Sequence, residues 1–252
     1  MQKLTGLSPL MLAPLVLALS LVACGDKNAS SDAKTNGAPV AAVAAPAGTS
    51  WADMVKATPE GGFVMGNPDA PLKIVEFASL TCSHCADFSE NGFPVLRDKY
   101  VNTGKVSYEL RNYVRDPLDM TGALLARCGG AEPFFPLSEQ IFAYQPTLFE
   151  KAQAMGEATY KAAVEAPAQE RFVKLAQNVG LIEFVMQRGI SEDQAKQCLA
   201  DTKTAEALAD GVQKASTTYN IEGTPTFLIN GTKVDNVASW PLLEAQLREA
   251  GA

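Results

Sequence analysis

The chain has 252 residues and a formal net charge of −7, with 21 Lys and Arg residues against 28 Asp and Glu. Its cations are scattered rather than clustered, so it lacks the basic patch of a nucleic-acid surface and no nucleic-acid partner is expected. Five cysteines but only one histidine, His84, exclude a histidine-rich metal site.

Lys3 precedes an apolar run from Leu10 to Ala23 that is interrupted by Pro14 and is short for a membrane span. Residues 1–23 therefore read as an export signal. Its end, Leu21-Val22-Ala23-Cys24, resembles a bacterial lipoprotein processing site. That resemblance implies cleavage before Cys24 and a lipid on it, leaving an even number of cysteines: Cys82 with Cys85, and Cys128 with Cys198. From Gly25 to Ser50 the chain is mostly Ala, Ser, Pro, Gly and Asn, too poor in large apolar groups to offset its ordering entropy. Residues 24–58 are thus expected to form a flexible tether. The tether and the acidic surface suggest an anchored monomer.

Phe63-Val64-Met65 fits a short edge strand, closed by the turn Gly66-Asn67-Pro68-Asp69. Leu72 to Ala78 lacks clean alternation and reads as a strand covered on both faces. A helix follows from Cys82 towards Tyr100, kinked or broken at Pro94. Val106, Tyr108 and Leu110 alternate with polar neighbours and predict another strand, completing a β-α-β unit. Between Pro117 and Tyr219 the period is helical: Phe172, Leu175, Val179, Ile182 and Met186 recur at three- and four-residue steps, as do Ala205, Leu208, Val212, Ala215 and Tyr219. Phe134, Phe135, Phe142 and Tyr144 are expected in the core. Thr226–Ile229 and 232–234 flank Asn230-Gly231, a two-residue hairpin signal. A last amphipathic helix carries Trp240, Leu243 and Leu247.

The chemistry concentrates in Cys82-Ser83-His84-Cys85, where a strand gives way to a helix. Residues i and i+3 share a helix face, with Cβ atoms ~5–6 Å apart, close enough for a disulfide to form. The partial positive charge and unpaired N–H groups of the helix start favour a thiolate on Cys82. A thiolate is both the nucleophile and the better leaving group in disulfide exchange. His84 lies between the cysteines, where it can stabilise that thiolate or stand exposed on the helix. Glu76 is a carboxylate inside a buried-looking strand, a position that raises its pKa; a strand-end charge paired with Lys73 or Lys105 is the alternative. Pro225 opens the returning strand, where it cannot donate to the ladder, and X-Pro is the bond at which cis is accessible.

These features together resemble the DsbA-like branch of the thioredoxin superfamily, the exported thiol oxidases of bacteria. The resemblance runs from about Pro59 to the C-terminus and rests on three matches in order. They are the Cys-x-x-Cys at a strand-to-helix junction, Gly223-Thr224-Pro225-Thr226 before the returning strand, and a helical block between the two. It implies an α/β thioredoxin fold interrupted by an all-helical insertion: residues 59–118, insertion 119–202, and 203–252. It also implies a cis Pro225 facing the cysteines, Thr224 offering backbone groups to client peptides, and Glu76 beneath Cys85 as a proton relay. Ser83 departs from the Pro-His pair between the cysteines of the family's more oxidising members.

The expected function is an exported, membrane-tethered thiol oxidase without a cofactor, periplasmic and anchored through Cys24. It would pass a disulfide to cysteine-containing exported clients and be recycled by a quinone-linked membrane thiol oxidase. A structural disulfide between Cys128 and Cys198 is expected in its helical block. One alternative is a disulfide reductase or isomerase, although the tether is too poor in apolar residues for the N-terminal dimerisation domain usual in such isomerases. A different class is a metal-binding module using Cys82, Cys85 and His84, although a closed zinc site wants four ligands. Ala86 excludes c-type haem attachment, which needs histidine directly after the second cysteine.

Overall fold

The computed structural model describes residues 37–252. The expected export signal, Cys24 and the first part of the expected tether lie outside the described residues. The described strands are β1 (Val55–Ala57), β2 (Phe63–Gly66), β3 (Leu72–Ala78), β4 (Val106–Asn112), β5 (Thr226–Ile229) and β6 (Thr232–Val234). They form one sheet in the order β1-β2-β4-β3-β5-β6. The β3–β4 pair is parallel and every other neighbouring pair antiparallel.

β3 lies at the centre, and its missing alternation has a direct cause: it is buried on both faces. Ile74 and Ala78 belong to the main core, whereas Val75 and Phe77 pack with Ala215, Ile221 and Leu228 on the other side. The crossover from β3 to β4 is α1 (Ser83–Asp87), a π turn (Phe88–Gly92) and α2 (Phe93–Lys99). The break expected at Pro94 is this π turn. It ends at the residue before Phe93, so Pro94 falls in the first turn of α2, where its missing N–H costs nothing.

The helical block contains α3 (Pro117–Ala126), α4 (Phe134–Met155), α5 (Glu157–Val164), α6 (Ala168–Asn178), α7 (Leu181–Met186) and α8 (Glu192–Leu199). Asp116 caps α3 by accepting from Asp119 N. Phe134, Phe135 and Phe142 are buried; Tyr144 is half-buried and donates to Val179 O at 2.9 Å. The apolar period read through Met186 does not continue that far. Gly180, at φ 71°, separates α6 from α7, and Met186 is 45% exposed. A disulfide joins Cys128, just after α3, to Cys198 in α8. The chain then returns through α9 (Thr202–Tyr219) to β5 and β6, and α10 (Trp240–Glu249) packs in the main core.

One boundary is corrected. The tether expected over 24–58 does not reach 58, because the chain is already held at residue 37. Gly37 N donates to Glu249 O at 2.7 Å, Val40 N to Gly251 O at 2.8 Å, and Val43 N to Thr103 O at 2.8 Å. Trp51 is buried and donates Nε1 to Val43 O at 2.7 Å, and β1 pairs with β2. Backbone bonding and one buried indole order a segment whose composition offers little apolar area.

Candidate active site

Strand parity sets the floor of the site. Glu76 shares a face of β3 with Ile74 and Ala78, since alternate residues point the same way. That face is the one covered by Cys82 and Cys85. Glu76 is 2% exposed, and Tyr108 of β4 donates its hydroxyl to Glu76 Oε2. Burial raises the Glu76 pKa to about 8; the Tyr108 hydrogen bond opposes the rise and Cys82 adds to it.

Cys82 is the N-cap of α1, with extended backbone at φ −95° and ψ 123°, and Cys85 lies one turn on with its side chain fully buried. Both are free thiols. The two titrate in opposite directions. Cys82 is lowered to about 5, first by the Cys85 thiol donating to it, against the cost of burial. Thr224 and the N–H groups of Cys85 and His84 act in the same lowering direction. Cys85 is raised well above the usual thiol range, first by burial, then by donating to Cys82 and by the charges of Glu76 and Cys82.

The loop before β5 closes the site. The Thr224–Pro225 peptide bond is cis. Cys82 Sγ donates to Thr224 O at 3.1 Å, so the loop backbone lies directly against the sulfur.

The helical block supplies the other wall. Gln145 of α4 is buried and donates Nε2 to Leu80 O at 2.9 Å and to Cys82 O at 3.1 Å. Asp119 of α3 accepts from Leu80 N at 2.8 Å and from Arg115 N at 2.9 Å. Burial raises the Asp119 pKa to about 7. Thr81 Oγ1 donates to Asp116 Oδ2 at 2.6 Å, and Arg115 Nε to Ser79 Oγ at 2.9 Å. Residues 79–82 are therefore gripped by Asp119 and Gln145 of the insertion and by Arg115 and Asp116 just before it.

The Thioredoxin family model matches residues 58–249. The chain belongs to the thioredoxin family. A crystal structure of protein-disulfide isomerase from Novosphingobium aromaticivorans is 32% identical, covers 73% of this chain and 94% of that one, and superposes with a TM-score of 0.70. Wolbachia pipientis alpha-DsbA1 shares the fold at 22% identity and a TM-score of 0.60, covering 75% of this chain and 89% of its own. A Rickettsia bellii protein provisionally named a protein-disulfide oxidoreductase is 28% identical over 177 residues. That match takes in 70% of this chain but 60% of the relative, so the chain spans less than two thirds of that relative's length.

In this thioredoxin-family site Cys82, Cys85, Glu76, Thr224 and Pro225 come together from three parts of the chain. His84 does not join them through its imidazole: its side chain is exposed, and it is the His84 backbone N–H that bears on Cys82. Among the described residues no group of three or more His, Cys, Asp or Glu side chains is placed to hold a metal ion, so the metal-binding alternative finds no support. Sequence reasoning passed over Tyr108, Asp119 and Gln145. Tyr108 counted only as a strand residue. Asp119 and Gln145 stand in helices otherwise read for their apolar periods, where a polar residue at a core position is the available signal.

Proposed function

We propose that the protein is an exported thiol:disulfide oxidoreductase that donates the Cys82–Cys85 disulfide to client cysteine pairs. The observation that carries this reading is the opposite displacement of the two thiols, Cys82 down to about 5 and Cys85 well up. A client thiolate attacks Cys82 Sγ, the Cys82–Cys85 bond breaks, and Cys85 leaves with the electron pair and takes up a proton. Glu76, protonated at neutral pH with a pKa of about 8, supplies that proton. The client's second thiolate then attacks the client sulfur of the mixed disulfide, and Cys82 leaves as a stable thiolate. The client loses two electrons and gains a disulfide, and the protein is left as the dithiol. Thr224 and the cis Pro225 loop present backbone to the client chain beside Cys82. A quinone-linked membrane thiol oxidase restores the disulfide.

Cys85→Ser tests the first step. It should accumulate mixed disulfides between Cys82 and exported clients, visible as reductant-sensitive adducts on non-reducing gels, whereas Cys82→Ser should form none. Adducts that persist in Cys82→Ser would overturn the assignment of the nucleophile.

The same reading places the protein on a membrane through lipidated Cys24, supported by Leu21-Val22-Ala23-Cys24. Acyl chains contribute ~0.8 kcal/mol per buried CH₂ to membrane affinity. Cys24→Ala should therefore move the processed protein into the soluble exported fraction. A processed variant that stays with the membrane would rule out the lipid as anchor. A reductase or isomerase is the second reading, favoured by the name of the 32% identical relative. The redox potential separates the two.

A further inference from the structure

Away from the cysteines, a groove of about 380 Å³ opens between α9 and the ends of β3 and β4. It shares no lining residue with the redox site. Its apolar floor includes Phe77, Leu208 and Tyr219, and its charged lining is Arg111, Arg127 and Lys214 with one carboxylate, Glu60. Arg111 is already matched: it bonds Glu109 at 2.7 Å and lies 4.0 Å from Glu60. Arg127 is not.

Half-buried beside the Cys128 disulfide, Arg127 has no carboxylate partner among the described residues, although the chain carries 28 Asp and Glu. Its one protein acceptor there is Asn112 Oδ1, at 3.1 Å from Nη1. Phe63 and Phe134 pack on its guanidinium at 4.8 and 6.0 Å from their ring centroids. Such stacking offsets part of the desolvation cost but uses none of the in-plane N–H donors of the five-donor fork, of which only Nη1 meets a protein acceptor. Burial pushes the Arg127 pKa down, with no neighbouring anion to oppose it. Lys214, on the α9 wall, likewise has no ion-pair partner among the described residues. A partly buried fork without a counter-charge matches a carboxylate or phosphate arriving from solution, and the volume suits a small ligand.

We propose that this groove binds a small organic anion, its carboxylate or phosphate held by Arg127 with Lys214 and its apolar body lying on Phe77, Leu208 and Tyr219. The site is separate from disulfide exchange, so its test does not depend on redox activity. Calorimetric titration of the purified protein with phenyl phosphate, and separately with inorganic phosphate, should give saturable one-to-one binding of phenyl phosphate. It should bind at least about tenfold more tightly than inorganic phosphate, because only the ester covers the apolar floor. Arg127→Gln should weaken phenyl phosphate binding about tenfold or more, the loss of a charge-assisted hydrogen bond.

Should Arg127→Gln fail to fold, Gly211→Leu decides alone. Gly211 lines the groove in mid-α9, and a Cβ built on it meets nothing within 4 Å. The larger side chain fills the groove while replacing a helix-interior glycine, a change that favours the helix. Gly211→Leu should abolish binding without lowering the melting temperature. No saturable binding of phenyl phosphate, equal affinity for inorganic phosphate, or undiminished binding in Gly211→Leu would each overturn the proposal.

Discussion

Three residues apart on one turn, Cys82 and Cys85 hold their protons very differently, because Cys82 accepts a hydrogen bond from Cys85 whereas burial holds the proton on Cys85. Cys82 at the N-cap is stabilised as thiolate by Cys85, Thr224 and the helix start, while Cys85 faces the buried Glu76 carboxyl and the core. Glu76 was legible as a carboxylate inside a run apolar enough to be buried on both faces. Tyr108 was not, since its hydroxyl partner is set by the pairing of β3 with β4. His84 was legible only as a position; its imidazole is exposed and its amide bears on Cys82. The burial of Glu76 has a consequence of definite sign. A carboxyl whose folded pKa is raised from 4.5 to about 8 contributes stability that is fully present below about pH 4.5 and lost as pH rises through about 8. Denaturant midpoints of the disulfide form, in which neither thiol titrates, should fall between about pH 5 and about pH 9. Glu76→Gln should make that fall shallower without abolishing it, because Asp119, raised to about 7, contributes a fall of the same sign. An unchanged pH slope in the variant would mean that Glu76 is ionised throughout.

At the scale of elements, the strands, the Cys-x-x-Cys helix, the returning hairpin and the final helix followed from period, turn chemistry and proline placement. Two features did not. The segment 37–57 is ordered by backbone bonds to 103, 249 and 251, contacts that no local pattern encodes. The grip of the insertion on residues 79–82 depends on partners 39 to 65 positions away. Through that grip the helical block fixes the backbone from which Cys82 projects. Gln145→Leu keeps an apolar volume but leaves Leu80 O without its donor and takes one of two donors from Cys82 O, whose other is Ala86 N. Burying an unsatisfied carbonyl costs about 1–3 kcal/mol, so the urea midpoint should drop accordingly. Hydrogen exchange at 79–86 should quicken more than in α9. A variant as stable as the parent would show that the loop is held without Gln145.

For the molecule as a whole, the fold arranges a chemical asymmetry rather than a cavity. A central strand buried on both faces carries the carboxyl, one helix carries both sulfurs, and a distant loop brings the Thr224 carbonyl to 3.1 Å from Cys82. The insertion, tied by the Cys128–Cys198 disulfide across 70 residues, braces the loop that carries Cys82. On the proposed reading, a cap thiol with a low pKa beside a buried thiol makes the dithiol form the favoured one, because reduction creates a stabilised thiolate and the disulfide form has none. The direction of electron flow is therefore the central claim. It is tested most directly by equilibrating the purified protein with glutathione buffers and following alkylation of Cys82. The expected potential lies well above the thioredoxin value of about −270 mV, with the dithiol predominating in buffers that would leave thioredoxin oxidised. A potential at or below about −270 mV would contradict that direction and make the protein a reductase.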